Sequence, residues 1–257
     1  MSVTDSAVAA GGRLAPPPRL DLAASALFLD LDGTLAPMAS TPAGVTADPA
    51  RSALLARLGP ALNGAIAMIS GRSLDDLDRI LEGRVAAASG VHGLVRRTSE
   101  GVVMAPAPTG PLRRAAAALA DFAAGRPGLL VEDKGLAVAL HYRLSPGEGA
   151  AADRLADRLA AEHGLIVQRG REVVELRPPG PDKGEALAAF MREPPFAGRR
   201  PVFVGDDLTD EAGFAAAGAC GGHGVIVGSR RPTRARFALA DVPAVMDWLA
   251  RSLEGGA

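Results

Sequence analysis

Asp30 and Asp32 stand two residues apart in Asp30-Leu31-Asp32-Gly33-Thr34, at the end of a short apolar run from Ala26 to Leu31. Residues i and i+2 of an extended strand share a face, so both carboxylates emerge together at its carboxyl end, where open parallel sheets bind ligands. Two acids held side by side repel each other. A hard cation such as Mg2+ is the usual remedy, and Gly33 lets the backbone turn away from the site. A solvated Asp-Gly turn is the plainer reading. A calcium loop is another, but its third and fourth oxygen ligands are missing.

A second acidic group, Asp206, Asp207, Asp210 and Glu211, follows the apolar run Val202-Phe203-Val204. Asp206, nearest the strand, is expected to ligate the metal. Asp207 and Asp210 stand behind it, Asp210 one helical turn on and suited to orienting the ion's water. In isolation this run can also be read as an acidic cap on the next helix, which the macrodipole favours. Two such clusters ending strands of one sheet weaken that reading. Ser70-Gly71-Arg72 follows a third apolar run, Ala65 to Ile69, and offers a hydroxyl and backbone N–H groups at a helix start, an anion cradle or ordinary turn chemistry. Lys183 opens another helix in Asp182-Lys183-Gly184. Of the 28 cations only Lys134 and Lys183 are lysines, the rest arginine. A site that needs a compact point charge does not easily accept a planar fork.

The elements that must position these groups alternate. Strand candidates at Ala26–Leu31, Ala65–Ile69, Val85–Ala88 and Pro201–Val204 are interleaved with helices opened by Asp48-Pro49, by Ser73 and by Lys183, and a last helix runs from about Asp241 to Leu253. Strand–helix alternation predicts an α/β fold with a parallel sheet covered on both faces. The pattern breaks at Pro106, Pro108, Gly110 and Pro111 and resumes after Pro178, Pro179, Gly180 and Pro181. Between these linkers lie two amphipathic helices and four strands in hairpin-like succession. The expected organisation is a lead-in over 1–20 without order, a core of 21–105 and 180–257, and an inserted smaller α+β domain over 106–179.

Composition narrows the function. The net charge is −1 and only nine residues are aromatic, which leaves no basic, ring-bearing surface for nucleic acid. The longest apolar stretches fall far short of a bilayer span, and the first 20 residues lack a basic start followed by an apolar run. A cytoplasmic protein without membrane partners is expected. A single cysteine, Cys220, and four dispersed histidines offer no disulfide framework and no zinc spacing.

Paired Asp after one strand, Ser after a second, then Lys, then an acidic cluster after a further strand: this ordered set resembles the haloacid dehalogenase (HAD) superfamily of Mg2+-dependent phosphatases. The resemblance covers roughly residues 24–104 and 180–250 and implies a HAD-like Rossmannoid core. It implies that Asp30 is the nucleophile of an aspartyl-phosphate mechanism and Asp32 the general acid and then base. Ser70, Gly71, Thr34 and Lys183 would hold the phosphate. Asp30, the Asp32 carbonyl and Asp206 would bind Mg2+, with Asp207 and Asp210 behind them. Asp32 can donate a proton only where its surroundings raise its affinity for one.

Within the superfamily the chain is similar to the trehalose-6-phosphate phosphatases, through Leu29 to Leu35 with Pro37, Ile69 to Arg72, His92-Gly93, Leu140 to Arg143, Val174 to Pro178, and Gly205 to Glu211. This likeness runs through the insert, which becomes a mobile cap. It implies a small sugar phosphate as substrate and functional coupling to a trehalose-6-phosphate synthase. Arg72 and His92 beside the core motifs, with Glu132, Lys134, His141, Arg143 and Glu175 of the insert, become candidates for contacting the sugar. His141 and Tyr142 are equally readable as core packing. The rival substrates are sucrose 6-phosphate and a mannosyl phosphoglycerate. A phosphomutase, or a silent sugar-phosphate-binding partner of a synthase, is the reading of another class.

Overall fold

A computed structural model describes residues 14–107, 109–228 and 232–254. The chain divides into two compact units, one formed by Met1–Ala39, Ala43–Val103 and Pro181–Ala257 and the other by Ser40–Pro42 and Met104–Gly180.

The first unit is built on an eight-stranded sheet. Its strands are β1 (Ser25–Leu29), β2 (Ile66–Ile69), β3 (Ala87–Gly90), β4 (Val95–Arg97), β5 (Val103–Met104), β10 (Arg200–Gly205), β11 (His223–Val227) and β12 (Phe237–Leu239). Their spatial order is β12-β11-β10-β1-β2-β3-β4-β5. From β12 to β3 the pairs are parallel, and β4 runs antiparallel to β3. The central strand β1 pairs Leu27 with Val202 on one side and Ile66 on the other.

Alternation along these strands feeds two cores. Leu27, Leu29, Ile66, Met68, Val202 and Val204 belong to one, packed with helices α1 (Pro49–Ala61), α2 (Leu74–Leu81) and α7 (Val242–Glu254). Ala26, Phe28, Ala67, Ile69 and Phe203 belong to the other, with α5 (Lys183–Phe190) and α6 (Asp210–Ala219). The helix starts follow their cap residues. Asp48 accepts from the Arg51 amide and Ser73 from the Asp76 amide, and Asp182 forms a reciprocal capping box with Glu185.

Within the stretch 1–20, expected to lack order, residues 14–20 are held in place. Leu14 and Leu20 pack against the two cores, the Trp248 indole donates to the Pro18 carbonyl, and the Leu20 amide donates to the Ser252 hydroxyl. Apolar side chains and a satisfied backbone therefore hold 14–20 in place. Residues 1–13 lie outside the described part.

The second unit carries a four-stranded antiparallel sheet, β6 (Leu130–Asp133), β7 (Val138–His141), β8 (Ile166–Gly170) and β9 (Val173–Arg177), in the order β6-β7-β9-β8. Val138, Leu140, Val174 and Leu176 pack with Leu112, Leu119, Leu155 and Leu159 of α3 (Gly110–Ala123) and α4 (Gly149–His163). The alternate residues of the same strands are left for other work, among them Glu175 and Arg177.

Candidate active site

Three strand ends and one helix start of the first unit bring the chemical groups together. β1 delivers Asp30, whose amide donates to the Val204 carbonyl of the neighbouring β10 at 2.9 Å. Beyond it the chain turns tightly: the Leu35 and Ala36 amides both donate to the Leu31 carbonyl. Gly33 has φ +80°, and a Cβ there would stand 2.2 Å from an Asp206 carboxylate oxygen. Any side chain would thus displace Asp206 as well as strain the turn.

Lys183 organises the centre. Its Nζ donates to Asp210 Oδ1 at 2.6 Å and to Asp30 Oδ1 at 3.1 Å, and all three side chains are almost fully buried. Asp210 uses its other oxygen to accept from the Asp207 amide at 2.8 Å. Asp210 is therefore a brace for the lysine, and Asp207 contributes its backbone to the same brace. The Thr34 hydroxyl donates to Asp206 Oδ1 at 3.5 Å, so in this arrangement it meets the carboxylate that was expected to ligate metal.

Asp32 is held by a bidentate ion pair, Arg72 Nε to Oδ2 at 2.6 Å and Nη2 to Oδ1 at 2.7 Å. Such a fork is among the strong and directional charge-assisted contacts. Arg72, expected among the sugar contacts, holds Asp32 in this orientation. Its amide lies 3.4 Å from the Ser70 hydroxyl, and Ser70 is buried at the carboxyl end of β2.

Four carboxylates, Asp30, Asp32, Asp206 and Asp210, here meet two cations, Lys183 and Arg72. Burial drives the Asp30 carboxyl well above the usual range; Lys183 opposes, and Asp210, Asp206 and Asp32 add to the rise. Burial, then Asp210, lifts Asp206 to about 7, against the opposing pull of Lys183. Burial pulls the Lys183 ammonium down, yet Asp210 and Asp30 together outweigh it and leave the lysine firmly charged. Carboxylate oxygens of Asp30, Asp206 and Asp210 lie within 4.8 Å of one another. Hard oxygen donors with an uncompensated excess of buried negative charge fit a divalent cation.

In the second unit, Glu132, Lys134, His141 and Glu175 form one connected polar cluster. Lys134 Nζ donates to Glu175 Oε2 at 2.6 Å and lies 4.0 Å from Glu132 Oε2, and His141 Nε2 is 2.8 Å from the same Glu132 oxygen. Glu175 is 4% exposed. Arg143 is directed elsewhere, to Glu172 at 3.1 Å and the Arg171 carbonyl at 2.9 Å. Two residues absent from the sequence-derived set share the Glu175 face. Arg177, two residues along β9, is buried and donates to Gln168, which lies opposite Glu175 in the register. The signal was present in Val173-Val174-Glu175-Leu176-Arg177, where a buried polar face alternates with an apolar one.

Comparison with known proteins agrees with this arrangement. A family model described as trehalose-phosphatase matches residues 28–243. The chain is 43% identical over 226 residues to a trehalose-6-phosphate phosphatase of Escherichia coli (strain K12), covering 87% of this chain and 85% of that one. It is 41% identical over 225 residues to a probable trehalose-phosphate phosphatase of Sinorhizobium fredii (strain NBRC 101917 / NGR234), covering 87% and 84%. Among solved structures, a trehalose-6-phosphate phosphatase related protein superposes with a TM-score of 0.76 at 27% identity, covering 90% of this chain and 97% of the other. The C-terminal domain of the C. albicans trehalose-6-phosphate phosphatase shares the fold, with a TM-score of 0.79 at 22% identity over 93% of this chain and 99% of that one. The chain belongs to the trehalose-phosphatase family, a family of enzymes.

Proposed function

We propose that this enzyme hydrolyses trehalose 6-phosphate to trehalose and inorganic phosphate through an aspartyl-phosphate on Asp30. The observation that carries the reading is the buried Asp30–Lys183–Asp210 chain beside Asp206 and the Arg72-held Asp32. A carboxylate nucleophile must approach a dianionic ester, so charge compensation is the main task. Lys183 supplies a fixed positive charge, and Asp210 keeps that ammonium aimed while Ser70 offers a hydroxyl to a phosphoryl oxygen. Asp30, Asp206 and the Asp32 carbonyl would hold Mg2+, which when bound neutralises phosphoryl and carboxylate charge.

Asp30 Oδ attacks phosphorus, the phosphorus–sugar oxygen bond breaks, and a proton on Asp32 passes to the leaving alkoxide. Water then attacks phosphorus, Asp32 takes its proton, and Asp30 leaves as the restored carboxylate. The bidentate pair with Arg72 suits the anionic Asp32 of the second half. Donation in the first half requires the fork to yield one oxygen.

The Glu132–Lys134–His141–Glu175 cluster supplies donors and acceptors of the kind that sugar hydroxyls need on both sides. A phosphorylated cytoplasmic sugar and functional coupling to the synthase that makes it complete the proposal. Phosphate release from a panel of trehalose, sucrose and glucose 6-phosphates and a mannosyl phosphoglycerate, with Mg2+ and with chelator, tests it. Metal-dependent release with preference for trehalose 6-phosphate is expected. Preference for another ester would move the substrate, and release undiminished by chelator would remove the metal.

A further inference from the structure

Val91, His92 and Gly93 adopt positive φ in succession, +48°, +57° and +115°. A β-branched residue in the left-handed region is strained, and such strain persists only where surrounding contacts enforce it. Those contacts lead to the catalytic groups. The Val91 amide donates to the Arg72 carbonyl and the His92 amide to the Ser70 carbonyl, each at 2.9 Å. The imidazole of His92 lies over Gly71, so closely that a Cβ on Gly71 would stand 2.4 Å from ring atoms Cε1 and Nε2. On the far side of the turn, a Cβ on Gly93 would stand 2.3 Å from the carbonyl oxygen of Asp182, the residue that caps the Lys183 helix.

One strained turn is therefore wedged between the loop that carries Ser70 and Arg72 and the helix start that carries Lys183. Resting on the phosphatase reading, we propose that the Val91–His92–Gly93 turn is a positioning element for the reaction. The His92 ring and amide fix the Ser70–Arg72 loop, and through it both the phosphate-facing hydroxyl and the fork that orients Asp32. His92, expected among the sugar contacts, acts on the phosphoryl end of the substrate and does so through other residues.

The test uses His92→Ala, Gly71→Ala and the double variant, with His92→Asn as the replacement for His92→Ala should that variant fail to fold, since Asn tolerates the left-handed region. The readouts are kcat/KM on trehalose 6-phosphate and on p-nitrophenyl phosphate, the binding constant of inorganic phosphate by calorimetry, and the melting temperature. Removing the ring is expected to cost about 10- to 100-fold in kcat/KM, the scale of a small misplacement of reacting groups. The loss should be equal on the two esters and accompanied by weaker phosphate binding in a folded protein. Gly71→Ala should cost less in the His92→Ala background than alone, because its Cβ then has room.

Unchanged phosphate binding and kcat/KM in a folded His92 variant would overturn the proposal. So would a loss confined to the disaccharide ester, or strictly additive losses at 71 and 92. Phosphate calorimetry needs no turnover, so failure of this inference is distinguishable from failure of the substrate assignment.

Discussion

Around Lys183, four carboxylates face two cations; around Lys134, two carboxylates face one lysine and one histidine. The first cluster is unbalanced and buried, and burial with mutual repulsion raises the carboxyls of Asp30 and Asp206. The second is closer to neutral and is knitted from contacts of 2.6 to 4.0 Å between groups of opposite character. An unbalanced site is poised for a multivalent cation and an electrophilic phosphorus. A less highly charged one, rich in both donors and acceptors, is suited to an uncharged polyol.

The largest effect expected from this contrast is at Asp30. Asp30→Asn keeps the shape but removes the nucleophile, and phosphate release should fall on the order of a thousandfold or more, on any ester. A loss of only a few-fold, measured as phosphate released under saturating Mg2+, would break the assignment of the unbalanced cluster to chemistry.

Glu175→Ala probes the other cluster and leaves the half-buried Lys134 without its nearest partner. A loss of about tenfold on trehalose 6-phosphate is expected, near the net worth of one charge-assisted hydrogen bond, with little change on p-nitrophenyl phosphate. Equal losses on both esters would erase the distinction between the clusters.

The smallest effect is in pH-dependent stability. Asp206 stands at about 7 when folded, above its ordinary range, so between roughly pH 4 and 7 the native state holds a proton that the unfolded chain has released. Its contribution is fully present below about pH 4 and is lost as pH rises through 7. The melting temperature of the ion-free protein should accordingly fall by a few degrees between pH 5 and 7.5, given about 2–4 °C per kcal/mol for a domain of this size. Added Mg2+ should raise it more at pH 7.5 than at pH 5, because protons and cation compete for the same oxygens. Equal shifts at the two pH values would show that the ion binds elsewhere.

Much of this was legible in the sequence because the chemistry sits at strand ends, where an apolar run stops abruptly at Asp30, Ser70 or Asp206. The helix starts were equally plain, since Asp48, Ser73 and Asp182 advertise themselves as caps. β4 and β5 were missed because short strands near the edge of a sheet, half-buried in β4 and exposed in β5, carry little apolar pattern; Val95-Arg96-Arg97 looks like surface. β11 was not among the expected strands although His223-Gly224-Val225-Ile226-Val227 is apolar; glycines as dense as Gly221, Gly222 and Gly224 are commoner in loops than in strands. Gly222 and Gly224 lie so close to Pro201 and Phe214 that no Cβ fits, so they mark close packing instead of a loop. The pairing of Arg72 with Asp32 had no signal in spacing. Forty residues separate them, and only the juxtaposition of β1 with β2 joins them.

Because β1 lies between β2 and β10, its partner on one flank comes much later in the chain: Leu27 waits for Val202. A ribosome making this protein has released β1 long before β10 exists, so a row of amide and carbonyl groups stands open until β10 is made. The second unit is spelled almost entirely by one contiguous stretch, Met104–Gly180, and emerges ready to collapse on itself. Synthesis should thus yield a folded insert hanging from an unfinished sheet, a species whose survival depends on chaperones or speed and whose open edge is an invitation to aggregation.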